Sequence, residues 1–390
     1  MNTAMLQPGD TIGILGGGQL GRMLALAASS LGLRTHIYAP ERDSPAFDVT
    51  SQFTCASYDD EEALERFARS VNVATYEFEN IPLKTAEYLA RFVPLYLGIK
   101  ALEVTQDRLI EKTTLAKLHL PVAPFHAVAT REDLKQALQT LGTPAILKTR
   151  RFGYDGKGQV RITNPNELES AYALLQQGEA ILEGVIPFTK EISVLIARGR
   201  EGQCVAYDIC ENHHAHHILD ETRVPARVSK QTAESALAMA QHIVQSLDYI
   251  GILAVEMFVV DQHDAKKWAP VFGNQSCEST NKEVFTQEHE SLIINEMAPR
   301  VHNSGHWTLE GAITSQFSQH IRAIAGWPLG STQRLGHVRM RNLIGADVES
   351  WHKVLSDPSA CLHLYGKAEA TKGRKMGHVT YVTLDHNTYP

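Results

Sequence analysis

Cysteine is scarce and unpatterned in this chain. Five occur in 390 residues (Cys55, Cys204, Cys210, Cys277 and Cys361), an odd number with no CxxC pair. That excludes a disulfide framework and a cysteine-rich zinc site, and it makes a reducing cytoplasm the expected compartment. Basic charge is not in excess either: 37 Lys+Arg stand against 44 Asp+Glu, a net charge of −7. No nucleic-acid partner is expected, although a local basic site for a phosphorylated small molecule stays open. Long apolar runs are missing too. The longest, 249–260, is interrupted by Gly251 and Glu256, well short of the roughly 20 residues of a membrane span. The first residues lack a basic stretch followed by an apolar one, so neither a signal peptide nor a membrane partner is expected. No internal repeat or low-complexity segment is evident.

What remains is ordinary globular composition, 43% hydrophobic and 21% charged, which argues against a disordered or fibrous chain. At ~150 residues per domain the length predicts two to three domains. Residues 1–98 alternate strand and helix: strands over 11–15, 34–38 and 71–76, helices over 19–31 and 59–70. Such alternation predicts an α/β region with a parallel sheet. One charged amphipathic helix is expected over 101–119, stopped by Pro121. Strands follow at 145–149, 159–162, 180–183, 191–197, 251–260 and 291–297, with helices at 167–177 and 232–247. The polar stretch 261–290 reads as a surface insertion or long hairpin arm. A last small region starts near Leu335 and ends in a strand over 377–384.

Two glycine-rich loops carry chemistry. Gly16-x-Gly18-x-x-Gly21 follows a strand and opens a helix, the setting of a dinucleotide fingerprint. The expected acidic partner is poorly placed, because Glu41 falls behind Pro40, beyond the strand end. A dinucleotide, the phosphate of another ligand, or a purely structural turn are the three readings. In the second loop, Lys148 ends an apolar strand and GYDGKG (153–158) joins it to another strand. Glycines admit backbone N–H groups to phosphate oxygens, and a lysine adds a point charge. A nucleotide clamp that closes over phosphates is predicted, against the plain alternative of a solvated hairpin.

Two carboxylates interrupt strands that should be buried, Glu256 in GILAVEMFVV (251–260) and Glu296 in LIINEM (292–297). Burying a carboxylate is costly unless it is paired or binds metal. Two on neighbouring strands suit Mg²⁺, which takes few protein oxygens and fills its shell with phosphate and water. The plain alternative is a pair of glutamates on a solvated face.

In order, Lys148, GYDGKG, Glu183, Glu191, Glu256 and NEMAPR (295–300) resemble an ATP-grasp ligase. ILGGGQLGRM (14–23), RRFGYDGKGQ (150–159), PRVHNSGHWT (299–308) and GRKMGH (373–378) narrow the resemblance to the N5-carboxyaminoimidazole ribonucleotide synthetase family. It spans about residues 11–383. The resemblance implies an ATP-grasp fold in three domains: an N-terminal Rossmann-like parallel-sheet domain (1–98), a two-lobed ATP-grasp domain with a mobile glycine loop at 150–159 (99–333), and a small β-rich C-terminal domain (334–390). It implies a ligase that uses ATP and Mg²⁺ to activate bicarbonate as carboxyphosphate and carboxylates 5-aminoimidazole ribonucleotide in purine biosynthesis, usually as a homodimer.

Roles follow from the same resemblance. Arg108 and Lys148 would contact ATP phosphates, and Gly153, Tyr154, Asp155, Gly156, Lys157, Gly158 and Gln159 would form the loop over them. Glu183, Gly184, Val185 and Ile186 would line the adenine pocket, Glu191 would take the ribose hydroxyls, and His214 would stand beside the nucleotide. Glu256 and Glu296 would hold Mg²⁺, with Asn295 adjacent. Asp155, Lys157 and Arg300 would act at the reacting groups: Asp155 on the amine, Arg300 on bicarbonate through two parallel hydrogen bonds. The ribonucleotide phosphate would meet the backbone at Gln19 and Leu20, with Lys367 and Arg374 adding charge. Tyr154, Asp155, His302 and Asn303 would surround the aminoimidazole, and Glu77, or else Glu79, would bind its ribose.

Two departures from the family stand out. Ala298 replaces the Asn that many ATP-grasp enzymes carry two residues after the metal glutamate. The run His213-His-Ala-His-His217, part of a total of 18 histidines, exceeds the family pattern. A zinc site there lacks supporting cysteines or carboxylates, so a polar loop with one nucleotide-facing histidine is expected. The competing activities are a formate-dependent glycinamide ribonucleotide transformylase, or another ATP-grasp ligase, and an NAD-dependent oxidoreductase.

Overall fold

A computed structural model describes residues 4–153, 156–165, 168–261 and 290–384. Three sheets organise it. The first holds β1 (Thr11–Leu15), β2 (Arg34–Ala39), β3 (Gln52–Cys55) and β4 (Val73–Tyr76) in the order β3-β2-β1-β4, all parallel. Strand β3 escapes a reading by hydrophobic pattern because none of its four residues is buried. The apolar strand expected as third is therefore the fourth. Helix Gln19–Ser30 follows β1 and buries Leu20, Met23, Leu24 and Ala28.

The second sheet is antiparallel, β5 (Phe125–Val128), β6 (Ala145–Thr149), β7 (Gln159–Ile162) and β8 (Ala180–Gly184), ordered β5-β8-β6-β7. Helices Arg131–Leu141 and Glu169–Leu175 contribute to its own small core of Leu134, Leu138, Leu147, Ile162, Leu174 and Leu182. A separate core lets this layer form a lobe distinct from the rest.

The third sheet comprises β9 (Lys190–Arg198), β10 (Cys204–Ala206), β11 (Cys210–Ala215), β12 (Ile218–Val224), β13 (Gly251–Asp261), β14 (Glu290–Ala298), β15 (Gly336–Ile344), β16 (Cys361–Leu364) and β17 (Lys375–Leu384). Its path is β14-β13-β9-β11-β12-β15-β17-β16, with β10 on the side of β9. The last three strands thus continue the sheet through the β12–β15 ladder, where Thr222 faces Met340. One core joins Leu15 and Tyr76 of the first sheet to Val194, Val255 and Ala240 of the third layer. The parallel sheet and the large sheet are therefore packed as one body, with the small lobe across a cleft.

The single helix expected over 101–119 is two, Ile99–Thr105 and Arg108–Lys117. Asp107 starts the second by accepting from the N–H groups of Leu109 at 3.0 Å and Ile110 at 3.3 Å. An N-cap of this kind satisfies amides that have no helical partner, so the chain can turn there. Residues 262–289 of the expected insertion, with Cys277, lie outside the described residues. Among the described residues no helix is long and apolar enough to cross a membrane.

Candidate active site

The first glycine loop is filled by a carboxylate. Gly18 donates its N–H to Glu77 Oε1 at 2.8 Å. Gly16 has φ +106°, and a β-carbon there would stand 2.6 Å from Glu77 Cγ. Only glycine suits both the backbone and the space. A dinucleotide pyrophosphate needs that cradle for itself, and the Glu77 side chain already fills it. The loop also leads into Gln19–Ser30, whose first turn carries no acidic side chain, so the amides of Gln19 and Leu20 stand at a helix start that favours an anion. The turn at Gly366 approaches Arg22 of this helix to within 3.6 Å of the guanidinium for an added β-carbon. That brings the tail segment with Lys367 to the loop.

Burial pushes the Glu77 carboxyl up from 4.5 to about 7, offset in part by the Gly18 N–H, Arg300 and Lys367. A raised folded value means a stabilising contribution complete below pH 4.5 and lost as pH rises through 7. In Glu77→Gln, urea unfolding from pH 4.5 to 8 should therefore lack this downward component, with the wild-type minus variant difference falling toward pH 7. Parallel curves would contradict the shift.

In the second loop Thr149 N–H donates to Gly158 O at 2.8 Å and closes the β6–β7 hairpin. Arg108 donates to Gly153 O at 2.9 Å and to Glu296 Oε2 at 3.1 Å, tying the loop base to the carboxylate strand. Lys157 is exposed. Tyr154 and Asp155 lie outside the described residues.

Beneath the loop, Lys148 Nζ meets Glu183 Oε2 at 2.8 Å, and Lys112 Nζ lies 3.9 Å from the same oxygen. Burial raises the Glu183 carboxyl, but the two ammoniums outweigh it and hold it at about 2. Lys112, only 1% exposed at its side chain, also donates to Asn295 O at 2.6 Å. It is a site residue that the sequence reading missed. The available signal was spacing: Arg108, Glu111 and Lys112 share one helix face at i, i+3 and i+4, here turned inward.

Gly184 and Val185 donate backbone N–H groups to Pro124 O and Pro144 O, at 2.9 and 3.3 Å. Ile186 is buried with Ala123 and Val260 beside Phe258, an apolar floor suited to a base. Phe258, also missed, stacks on Phe188 at 4.5 Å and stands opposite Glu191 in the β9–β13 register. Glu191 in turn meets His214 Nδ1 at 2.7 Å. Burial alone would lower the imidazole's pKa, yet its bond to Glu191 raises it.

Glu256 and Glu296 stand directly opposite each other on β13 and β14. Burial, and then the facing Glu296 charge, push the Glu256 carboxyl up from 4.5 to about 7. Glu296 is held below its usual value because Arg108 and Lys148 overcome its burial. Two carboxylates that disfavour each other's ionisation form the hard-oxygen donor set that a divalent cation relieves. His302 Nε2 lies 3.4 Å from Glu256 Oε1, so the segment expected at the aminoimidazole reaches the expected metal site.

Two side chains expected at the substrates have partners within the fold. Arg300 makes two parallel hydrogen bonds to Glu79: Nη2 donates to Oε1 at 2.7 Å and Nε to Oε2. Glu79, the alternative ribose ligand, is thus Arg300's partner. Asn303 exchanges amide hydrogen bonds with Asn342 at 2.9 and 2.8 Å, so its buried amide faces β15. In both cases a nearby group of matching shape captures a fork-like side chain that sequence alone leaves unpartnered. In the tail, Arg374 is exposed and donates to Glu369 O at 3.0 Å. Its neighbour Lys375, missed by the sequence reading, exerts its charge on Glu79, Glu256, His214 and His302.

Comparison with known proteins agrees with this geometry. Family models match as a ribonucleotide synthetase preATP-grasp domain over residues 9–106, an ATP-grasp domain over 113–265 and 280–317, and a phosphoribosylaminoimidazole carboxylase C-terminal domain over 339–389. The N5-carboxyaminoimidazole ribonucleotide synthase of Brucella melitensis is 44% identical over 384 residues, covering 98% of this chain and 99% of the relative. The Staphylococcus aureus N5-carboxyaminoimidazole synthetase complexed with ADP superposes with a TM-score of 0.87 at 38% identity, over 99% of this chain and 96% of that one. The Aspergillus clavatus synthase, solved with ADP and 5-aminoimidazole ribonucleotide, gives a TM-score of 0.84 at 28% identity, over 96% and 94% of the two chains. The chain belongs to the N5-carboxyaminoimidazole ribonucleotide synthase family of ATP-grasp ligases.

Proposed function

We propose that this chain is an ATP-dependent ligase that carboxylates the exocyclic amine of 5-aminoimidazole ribonucleotide, in purine biosynthesis. The observation that carries the reading is the convergence of three charge patterns on one cleft. These are the facing carboxylates Glu256 and Glu296, the ammoniums Lys112 and Lys148 around Glu183, and the anion-ready helix start at Gln19. The first two suit Mg²⁺-ATP and the third suits a ribonucleotide phosphate.

The adenine rests on Ile186 and Phe258, and the ribose hydroxyls donate to Glu191, oriented by His214. The triphosphate lies under Gly153–Gln159 beside Arg108 and Lys148. Glu256 and Glu296 would hold Mg²⁺, which would supply charge neutralisation at the phosphates. A bicarbonate oxygen attacks the γ-phosphorus and the bond to ADP breaks, giving carboxyphosphate. The amine then forms a bond to its carbon, phosphate leaves, and the amine gives up a proton; Asp155 is the residue the family resemblance assigns to the amine. Glu77 takes the ribonucleotide's ribose, and Lys367 with Arg374 supplies charge to its phosphate. Carboxyphosphate survives only where water is excluded, so orientation and enclosure, not a covalent enzyme intermediate, carry the chemistry.

The same reading divides the chain into 1–98, 99–333 and 334–390 and makes it a cytoplasmic homodimer that acts on small molecules. ADP release measured with bicarbonate, with and without the ribonucleotide, tests the assignment. Strong stimulation by the ribonucleotide is expected. No stimulation would overturn the substrate while leaving the ATP-grasp class intact, and stimulation by formate would favour the transformylase.

A further inference from the structure

His216 and His217, the tip of the histidine run between β11 and β12, have no place in the mechanism above, and they are where the fold departs from local preference. Ala215 pairs with Ile218, so His216 and His217 form a two-residue hairpin turn. Both have positive φ, +52° and +65°. Hairpins of this length favour such a turn, but its two positions prefer Asn-Gly or Asp-Gly, because a β-carbon is crowded there. Backbone held in a disfavoured region persists where surrounding contacts over-determine it, and it concentrates at functional sites.

The surrounding contact is the glycine loop. Gly156 also has positive φ, +78°, and a β-carbon added to it would stand 2.7 Å from His217 Cβ, 2.9 Å from Cγ and 3.1 Å from Cδ2. The imidazole therefore occupies the space against which Gly156 is pressed. At its base the loop is tied by Arg108 to Gly153 O at 2.9 Å and by Thr149 to Gly158 O at 2.8 Å. His217 adds a contact on the far side, from a different lobe. The hairpin that carries it also carries His214, bonded to Glu191 at 2.7 Å.

We infer that His217 is a positioning residue for the reaction: its side chain, in contact with Gly156, sets the phosphate-facing backbone of Gly156–Gln159 in register with the nucleotide-binding His214–Glu191 pair. The inference rests on the ATP-grasp reading of this cleft but not on the identity of the carboxyl acceptor. The second histidine of the turn, which costs the hairpin its preferred Gly, is kept in place by this contact. With the register lost, the γ-phosphoryl group and bicarbonate are still brought together, but carboxyphosphate is exposed to water before the amine reaches it.

His217→Gly and His217→Asn separate positioning from turn stability, since both residues adopt positive φ readily. Asn keeps the Cβ and Cγ that touch Gly156, and Gly removes them. His217→Gly should keep or raise the thermal midpoint, weaken Mg²⁺-ADP binding in equilibrium titration, raise KM for ATP, and release more ADP per carboxylated product. Each of these changes should be about three- to tenfold, below the roughly hundredfold that a 1 Å misplacement at the reacting groups can cost. His217→Asn should restore affinity, KM and the ADP-to-product ratio to near wild type. Wild-type affinity and ratio in the Gly variant would overturn the inference. So would a lowered midpoint there, which marks a turn role, or an Asn variant as impaired as the Gly one. Absence of ribonucleotide-stimulated turnover in the wild type would instead count against the substrate assignment, and the ADP titration would still decide the role of His217.

Discussion

Glu296→Gln is expected to lower ribonucleotide-stimulated ADP release by about 10²–10³-fold, the range seen when one preorganised electrostatic partner of a reacting phosphoryl or acyl group is removed. The side chain faces Glu256 across the β13–β14 ladder and accepts from Arg108 at 3.1 Å. The amide keeps the shape but loses the charge needed by the cation. It also leaves Arg108, which holds Gly153 O at 2.9 Å, with a neutral amide oxygen in place of its charged acceptor, so binding and loop placement weaken together. The side chain is 40% exposed, so the fold should survive, with urea unfolding within about 1 kcal/mol of wild type. Turnover retained within about threefold would contradict the assignment of this carboxylate to Mg²⁺.

Glu183→Leu should cost about 3–5 kcal/mol of stability in urea unfolding, the usual penalty for removing one member of a buried charged group. Glu183 lies between Lys148 at 2.8 Å and Lys112 at 3.9 Å. Without it two ammoniums face each other in a buried space, and Lys112 keeps only carbonyl oxygens, including Asn295 O at 2.6 Å. Its carboxyl is held at about 2, against 4.5 ordinarily. A depressed folded value gives stability present above pH 4.5 and lost as pH falls through 2. The deficit of the variant should therefore be full at neutral pH and shrink in acid between those values. A deficit unchanged down to pH 2 would mean that lost packing, not lost charge, was responsible.

Much of the site was legible because its signals are local. A glycine loop between two elements, or a glutamate inside an apolar strand, is a pattern within about ten residues, and neither needs a partner to be recognised. Gly16, Gly18, Glu256 and Glu296 belong here. Lys112 does not: a charged residue in a short helix reads as solvated, and the groups that bury it are 71 and 183 residues away in sequence, at Glu183 and Asn295. Lys375 is another: it opens β17 opposite Ile344, and its charge reaches Glu79 and Glu256, which lie about 300 and 120 residues back in the chain. Strand β3 was invisible because its residues are not buried.

The residues by themselves determined the family, the ATP-grasp class and the chemistry available to the cleft, since those depend on which functional groups occur at which spacing. Tertiary structure alone decided who faces whom. It gave Arg300 to Glu79, Asn303 to Asn342 and His217 to Gly156, and it placed Glu77 inside the first glycine loop. The physical reason is that a hydrogen bond or a steric contact is a relation between two surfaces. A sequence specifies both surfaces, but only the packing of the sheets and their separate cores against one another fixes their distance.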